Sequence, residues 1–337
     1  MDSHVQEMPA FALISVVVPL PDDRGHLLEC LQGFTQQQID VPFEVIVPTS
    51  ERSPESLASL FEQFPSVRWV HRPGLRVNGL YNAGAEEARG KYLYITESHC
   101  VPQPDCLQQI FDYVRQNQLP VACSASDGLP GNHIAAGEQR IFEEDFVRWM
   151  GARKCKVAIR GTLIERALWE KAGGFQAEYG HFSEMMIGRK LESLGARVGC
   201  AERSVVSHGN QECLKELAAE LIEYGEDECR CSHLGAADEQ PAASWEWRQR
   251  EKFLNRFGRL KREQFREWTR QQIRAAAINL FPMSADRRFQ YFVHFWHGAI
   301  RQGRLKYIAA LKRDAIASTH SAAGPTIKTV TATRQAA

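Results

Sequence analysis

The sequence predicts an α/β protein built on a mainly parallel sheet flanked by helices, with a helical extension at its C-terminal end. Two observations predict this fold. Short apolar runs rich in β-branched residues alternate with segments of helical periodicity, which is typical of β-α-β units with parallel strands. The charge then changes sign along the chain, because residues 1–244 hold 22 Lys and Arg against 35 Asp and Glu, whereas residues 245–337 hold 19 against 6. This change indicates a boundary near Pro241.

The first half of the chain is a regular series of strands and helices. Apolar runs predict strands at residues 13–19, 43–48, 67–70, 91–96 and 121–124. Helical periodicity predicts helices at residues 22–37, 53–64, 79–89 and 106–116. The second helix begins with Ser53, Pro54 and Glu55, which suit an N-cap, a first turn and the positive end of the helix dipole.

The second half of the chain is less regular. Residues 128–160 show no clear period, and the chain after them predicts strands at 158–164 and 198–206 with helices at 165–172, 183–194 and 212–224. We expect an N-terminal tail at 1–11, a main α/β domain at 12–235, a linker at 236–244, a basic amphipathic helical region at 245–317 and a disordered tail at 318–337.

Composition limits the compartment and the classes of protein. No apolar run reaches the roughly 18 residues of a membrane-spanning helix, and the first residues lack the layout of a signal peptide. The nine cysteines show no framework spacing, so a reducing cytoplasm fits best. The first strand is not followed by the glycine-rich turn of a dinucleotide site.

One predicted strand ends in groups that can bind a cation. The strand at 91–96 runs into Glu97, Ser98 and His99. Residues two apart in a strand point to the same face, so we expect Glu97 and His99 to reach one point at the carboxyl edge of the sheet, where α/β sheets bind ligands. A carboxylate and an imidazole suit Mn²⁺ or Mg²⁺. A polar strand end that faces water is the alternative.

Five segments in this order resemble the family 2 glycosyltransferases, which have the Rossmann-like GT-A fold of nucleotide-diphospho-sugar transferases. The resemblance covers about residues 12–210. It rests on ISVVVP at 14–19, NGLYNAGAEEARG at 78–90, YLYITESHCVP at 92–102, GGF at 173–175 followed by Ser183-Glu184, and His208. The third segment stands where the family has a strand followed by Asp-x-Asp, and it reads Glu97-Ser98-His99 here.

The resemblance implies transfer of a sugar from a UDP- or GDP-sugar to an acceptor hydroxyl, metal-assisted and with inversion by single displacement. It assigns the metal, Mn²⁺ or Mg²⁺, to Glu97, His99 and His208, and the general base to Glu184. The donor is expected to contact Pro19, Thr49, Glu51, Asn78, Asn82, Glu97 and Ser98. The acceptor is expected to be a sugar, a lipid-linked molecule or another hydroxyl compound.

Departures from the family pattern leave a second function open. Glu97 and His99 replace two aspartates, and the neutral pair Thr49-Ser50 stands where the family has acidic residues near the nucleobase. The alternative is a catalytically degenerate GT-A module that binds a sugar nucleotide or a protein partner without turnover.

The basic C-terminal region allows several roles. Its Arg and Lys residues alternate with Trp and Phe at helical spacing. Such a region can lie on an anionic membrane surface, pack on the catalytic domain, or join two subunits as a homodimer. We do not expect it to bind nucleic acid. The membrane alternative would place the protein in the cytoplasm, on the inner face of the membrane.

Overall fold

The protein is described from a computed structural model, and the description covers residues 12–21, 25–50, 57–151, 157–234 and 260–322. The strands are β1 (Ile14–Val17), β2 (Phe43–Thr49), β3 (Val67–His71), β4 (Tyr92–Ile95), β5 (Cys100–Pro102), β6 (Val121–Gly128), β7 (Thr162–Glu165) and β8 (Val198–His208). The helices are α1 (Leu27–Thr35), α2 (Ala58–Gln63), α3 (Val77–Glu87), α4 (Cys106–Gln116), α5 (His133–Gly151), α6 (Arg166–Ala172), α7 (Ser183–Ser193), α8 (Leu214–Leu234), α9 (Leu260–Leu280) and α10 (Ala285–Ala322). A 3₁₀ helix at Ala177–Phe182 precedes α7. The predicted tail at 1–11, Glu51 and the predicted linker at 236–244 lie outside the described residues.

The eight strands form one sheet in the order β3-β2-β1-β4-β7-β6-β8-β5. Strands β3, β2, β1 and β4 are parallel neighbours, and β6 is parallel to β8. Strand β7 runs antiparallel between β4 and β6, and β5 runs antiparallel to β8 at one edge. The prediction of a mainly parallel α/β sheet flanked by helices is therefore confirmed.

Close packing holds α3 above the carboxyl ends of β1 and β4. All four residues of β1 are buried. Gly84 of α3 lies against Val17, and a Cβ at this position would overlap the valine side chain and approach Pro48 within 2.9 Å. The hydroxyl of Tyr81, one turn earlier, donates to the carbonyl oxygen of Thr96 at 3.1 Å. These contacts bring the first turns of α3 to the edge of the sheet where ligands bind.

Two elements differ from the sequence prediction. Strand β5 has three residues and depends on pairing with β8, in which Cys100 lies opposite His208. Helix α5 fills much of the segment 128–160. Its first turn is capped by Asn132, whose Oδ1 accepts hydrogen bonds from the amides two and three residues later at 2.8 and 3.3 Å. A capping asparagine is a local signal for the start of a helix.

The C-terminal helices pack on the catalytic domain. Helix α10 lies along α8 and α9, and an apolar cluster joins these helices to α5 through Ile134, Leu217, Ile278, Phe292, Phe295 and Ile300. Packing on the domain, one of the predicted roles, is therefore observed. Helix α10 continues to Ala322, and residues 323–337 of the predicted tail lie outside the described residues. None of the described helices is both long and apolar enough to cross a membrane.

Helices α8 and α10 touch backbone to backbone at two glycines. A Cβ at Gly225 would overlap the carbonyl group of Ile300, and a Cβ at Gly303 would overlap the carbonyl group of Ile222. We expect Gly303→Ala to destabilise the protein by about 2 kcal/mol, because a backbone carbonyl cannot move aside as a side chain can. Thermal unfolding of the two proteins would measure this difference.

Gly79→Ala is the matched control for that measurement. The added methyl group would meet only the flexible side chain of Leu75, at 3.3 Å, and alanine favours a helix by about 1 kcal/mol over glycine. An unfolding temperature that is unchanged in Gly303→Ala would contradict the close contact between α8 and α10.

Candidate active site

A cavity of about 830 Å³ opens at the carboxyl edge of the sheet. Its walls include residues that follow β1, β2 and β4, the last residue of β8, and one side of α8. Seven of the predicted site residues line it, namely Pro19, Asn78, Glu97, Ser98, His99, Glu184 and His208. The fold therefore brings together residues that are up to 189 positions apart, from Pro19 to His208.

Glu97, His99 and His208 form a compact cluster in this cavity. Nε2 of His99 lies 3.0 Å from Nε2 of His208, and the Glu97 carboxylate lies 3.7 Å from the first nitrogen and 3.4 Å from the second. Two ligands that bind a divalent cation at about 2.1 Å and at right angles lie about 3 Å apart. The spacing of the three side chains therefore fits one shared cation.

The backbone that brings Glu97 and His99 together is a turn, whereas the sequence analysis predicted a strand. Strand β4 ends at Ile95, and His99 lies in a turn, so the alternation of side chains along a strand does not apply to Glu97 and His99. The amide of Cys100 donates to the carbonyl oxygen of Glu97 at 3.1 Å and closes this turn. His208 joins the cluster because β8 pairs with the strand that follows the turn.

Neighbouring side chains fix the direction in which His208 offers its lone pair. Nδ1 of His208 lies 2.7 Å from Oδ1 of Asn210, an oxygen that also accepts a hydrogen bond from Arg160 at 3.2 Å. An amide oxygen only accepts, so Nδ1 of His208 carries the proton and Nε2 presents a lone pair to the cluster. The amide of Asn210 is held in turn by Gln139 at 3.1 Å. Support of this kind is usual for a metal-binding histidine.

A thiol also lies near the cluster. Glu97, Cys100 and His208 each have a potential ligand atom, and these three atoms lie within 4.8 Å of one another. Burial, together with the charge of Glu97, raises the pKa of Cys100 to about 12, so the thiol stays protonated near neutral pH. Mn²⁺ and Mg²⁺ prefer oxygen and nitrogen ligands to sulfur. Glu97, His99 and His208 therefore fit these ions better than a set that includes Cys100.

Three residues that were predicted to contact the donor are not among the described residues that line the cavity. The hydroxyl of Thr49 lies 3.2 Å from Nδ1 of His71, while the adjacent Ser50 lines the cavity. The amide group of Asn82 exchanges two hydrogen bonds with the backbone of Phe175, at 2.7 and 2.9 Å. Glu51 lies outside the described residues. Donor contacts of these three residues remain predictions.

The predicted base follows a turn that α3 holds in place. The side chain of Asn78 donates to the carbonyl oxygen of Gly180 at 2.8 Å. Glu184 comes four residues later, in the first turn of α7. Burial is the main cause of the raised pKa of Tyr81, and the charges of Glu97 and Glu184 both add to it. The two carboxylates therefore act electrostatically on the same side chain.

His181 and Asp227 form a hydrogen-bonded pair in the same cavity. Oδ2 of Asp227 accepts hydrogen bonds from Nδ1 of His181 at 2.8 Å and from its amide at 3.1 Å. Arg230 donates to Oδ1 at 2.5 Å. Gly180 has φ +52°, and a Cβ there would overlap the Asp227 carboxylate. The turn before α7 is thus held by α3 on one side and by α8 on the other.

A model of the family described as "Glycosyltransferase like family 2" matches residues 9–222. The chain belongs to this family. The match ends inside α8, so Asp227 and the helices α9 and α10 lie beyond it. A comparison with curated protein sequences gave no match.

One solved structure of a glycosyltransferase shares the overall fold of this family member, and a second structure is less similar. A mannosyltransferase from Pyrobaculum calidifontis, PcManGT, in complex with GDP-Man and Mn²⁺, is 14% identical with a TM-score of 0.51, over 91% of this chain and 88% of that chain. S. aureus TarS 1-349 in complex with UDP is 14% identical with a TM-score of 0.48, over 89% and 91% of the two chains. The family match and the first of these structures show a GT-A-like fold.

Arg160 is a buried cation in the cavity of this glycosyltransferase that the sequence analysis missed. Its guanidinium donates to Gln139 at 3.0 Å and lies 3.8 Å from the Glu138 carboxylate. Burial lowers the pKa of Arg160, and the charges of Glu97 and Glu138 oppose this effect. No periodic pattern marked this arginine, because it follows an irregular segment of the chain. The structure places its positive charge near the carboxylate of the candidate metal site.

Asp227→Asn is expected to lower the pKa of His181. Burial alone would lower this pKa, but the hydrogen bond and charge of Asp227 raise it above the ordinary value, and the substitution removes that charge. A proton NMR titration of the imidazole in the full chain would measure the change. Glu223→Gln is the control and should shift the pKa less, because Glu223 is the weaker contributor. An unchanged titration in Asp227→Asn would contradict the pairing.

The same pair is expected to make stability depend on pH. The raised pKa of His181 stabilises the fold below about pH 6.5, and this contribution is lost as the pH rises through the folded-state pKa. Burial alone would raise the pKa of Asp227, but its hydrogen bonds with His181 lower it, so its contribution is present above about pH 4 and is lost on acidification. The pair therefore stabilises the protein most between these two pH values.

Proposed function

We propose that this family member transfers a sugar from a nucleotide-diphospho-sugar to an acceptor hydroxyl with the help of a divalent metal. The observation that supports the proposal most is the cluster of Glu97, His99 and His208 in the cavity that Glu184 also lines. Membership of the family supports sugar transfer in general. The cluster supports the metal, because its donor set and spacing fit a divalent ion.

Glu97, His99 and His208 are the side chains that would hold the metal. We expect Mn²⁺ to bind better than Mg²⁺, because two of the three donors are imidazoles. When bound, the ion would neutralise negative charge on the departing diphosphate. The protein itself orients His208 through Asn210, whose side-chain oxygen also accepts a hydrogen bond from Arg160.

Glu184 is proposed as the general base. Its carboxylate would accept the proton of the acceptor hydroxyl while the acceptor oxygen bonds to the anomeric carbon and the bond from that carbon to the diphosphate oxygen breaks. Attack opposite the leaving diphosphate inverts the anomeric centre. The position of Glu184 in the cavity, on a turn held by Asn78, supports this role.

The donor is proposed to be a UDP- or GDP-sugar. Pro19, Ser50, Asn78 and Ser98 line the cavity and would contact it. Hydroxyl and amide groups, which carry no charge, would therefore surround the nucleoside. The acceptor is proposed to be a sugar, a lipid-linked molecule or another hydroxyl compound, and pairing of two copies through the C-terminal helices remains a prediction.

A module that binds a sugar nucleotide or a protein partner without turnover is the second candidate. The observation in its favour is the replacement of Asp-x-Asp by Glu97-Ser98-His99, which leaves one carboxylate at the site. Fewer carboxylates weaken the binding of hard cations.

A thermal-shift panel of UDP- and GDP-sugars, each with and without Mn²⁺, tests the proposal. A ligand that binds the native state raises the unfolding temperature, so we expect a stabilisation that needs both the donor and the metal. Release of UDP or GDP from the donor that binds would then separate turnover from binding. Binding without any nucleotide release would favour the second candidate. The absence of any shift across the panel would overturn the proposal and leave only the form of the second candidate that binds a protein partner.

A further inference from the structure

The outer side of α9 carries a row of exposed apolar side chains. Phe265, Trp268, Ile273 and Leu280 are 67, 53, 62 and 75% exposed, and Phe281, directly after the helix, is 60% exposed. The rings of Phe265 and Trp268 stack with their centroids 6.1 Å apart. Single exposed apolar residues are common, but five large ones along one helix indicate an interaction surface. We call these five residues the α9 face.

Buried polar contacts on the opposite side fix the rotation of α9. Glu267 is 2% exposed and accepts hydrogen bonds from Arg274 at 3.0 Å and from Arg301 of α10 at 3.4 Å. Gln271 is 4% exposed and donates to the carbonyl oxygen of Phe295 at 2.9 Å. To turn the α9 face toward the described helices, α9 would have to rotate and break these contacts.

Positive charges lie among the residues of the α9 face. Helix α9 holds five basic residues and two acidic ones. Lys261, Arg262, Arg266 and Arg270 are exposed. Both acidic residues are engaged, because Glu263 pairs with Arg266 at 2.8 Å and Glu267 is buried. The outer side of the helix is therefore both apolar and cationic.

We propose that the α9 face lies on the surface of an anionic phospholipid membrane. Aromatic and aliphatic side chains enter the boundary between headgroups and acyl chains, while Arg and Lys contact the phosphates beside them. Charge complementarity selects this occupant, because a second copy that offered the same basic helix would repel the first. The proposal rests on α9 alone and does not depend on the proposed function.

Flotation of the full chain with lipid vesicles tests the proposal. We expect binding to vesicles of phosphatidylcholine that contain about 30% phosphatidylglycerol, and at least tenfold weaker binding to phosphatidylcholine alone, because each Lys or Arg near an anionic surface contributes about fivefold. Binding to the mixed vesicles should fall when the salt concentration is raised.

Paired variants separate the apolar and the cationic parts of the α9 face. One double variant carries Phe265→Ser and Trp268→Ser, and the other carries Lys261→Glu and Arg262→Glu. We expect each double variant to bind the mixed vesicles at least about tenfold more weakly than the unaltered protein. Leu28→Ser with Val147→Ser is the apolar control, since both side chains are exposed elsewhere. Lys171→Glu with Lys215→Glu is the charge control at two other exposed positions. Both controls should bind as the unaltered protein does, and thermal unfolding confirms that each variant is folded.

Three results would overturn the proposal. The first is the absence of binding to the mixed vesicles by the unaltered protein. The second is binding that is equal with and without phosphatidylglycerol, or equally reduced by the control variants. The third is a dimer in solution that the Phe265 and Trp268 substitutions dissociate, which would assign the face to a second copy of the chain. None of these results bears on donor binding, so a failure here and a failure of the proposed function are distinguishable.

Discussion

Glu97→Ala is expected to remove the metal-dependent stabilisation by a sugar nucleotide and to slow transfer by about 100-fold or more. Glu97 is the one carboxylate among the three proposed ligands, and it lies 3.4 Å from His208 and 3.7 Å from His99. Its loss leaves two neutral imidazoles, which hold Mn²⁺ weakly. Titration of Mn²⁺ by calorimetry, followed by nucleotide release from the bound donor, measures both effects.

Two further variants distinguish the alternative ligand sets. If the metal is held by Glu97, His99 and His208, then His99→Ala should weaken Mn²⁺ binding strongly, while Cys100→Ala should leave it nearly unchanged. Asn210→Ala, which removes the support of His208, should weaken it by about 10- to 100-fold. A loss of Mn²⁺ affinity in Cys100→Ala together with normal affinity in His99→Ala would contradict our ligand assignment.

Glu184→Gln is expected to lower kcat by about 10²- to 10⁴-fold while donor affinity stays close to that of the unaltered protein. Glutamine has nearly the same shape as glutamate but cannot take the proton of the acceptor hydroxyl. Glu216→Gln is the matched control, because Glu216 also lines the cavity but lies on α8. Nucleotide release at saturating donor, combined with the thermal shift for donor binding, separates the two effects.

A different outcome would point to the other titratable pair in the cavity. If the Glu184→Gln variant retains turnover and the Asp227→Asn variant loses it, Glu184 is not the general base. The pH profile would then follow the titration of His181, whose pKa Asp227 raises.

The parallel half of the sheet could be predicted from the sequence because its signal is local. Strands β1, β2 and β4 are continuous apolar runs, and each is buried along most or all of its length. Strand β5 could not be predicted in this way, since three residues carry no periodicity and the strand depends on pairing with a segment about 100 positions later. Helix α5 was missed for a related reason, because its capping residue is a weaker signal than a periodic apolar face.

Some residues of the candidate site could likewise be predicted from the sequence, and others could not. The spacing of Glu97 and His99 predicts a shared metal site, yet the two side chains meet through a turn and not along a strand. Only the family resemblance predicts His208 as a metal ligand, because the residues next to it in the sequence do not indicate that it meets His99, 109 residues earlier. Arg160 and Asp227 were missed, since a single charged residue acquires its role only from what the folded chain places beside it.

The close backbone contacts of α8 and α10 at Gly225 and Gly303 join the C-terminal helices to a wall of the cavity. The family match ends at residue 222, inside α8, yet α8 continues to Leu234 and presents Asp227 to the cavity. Helix α10 lies against the backbone of α8 at these two glycines and packs on the apolar side chains of α8. A chain truncated near residue 235 would keep α8 and Asp227 but would expose the apolar side chains of α8, such as Leu217 and Leu221, that pack against the C-terminal helices. We therefore expect a chain that ends near residue 235 to be less stable than one that includes the C-terminal helices.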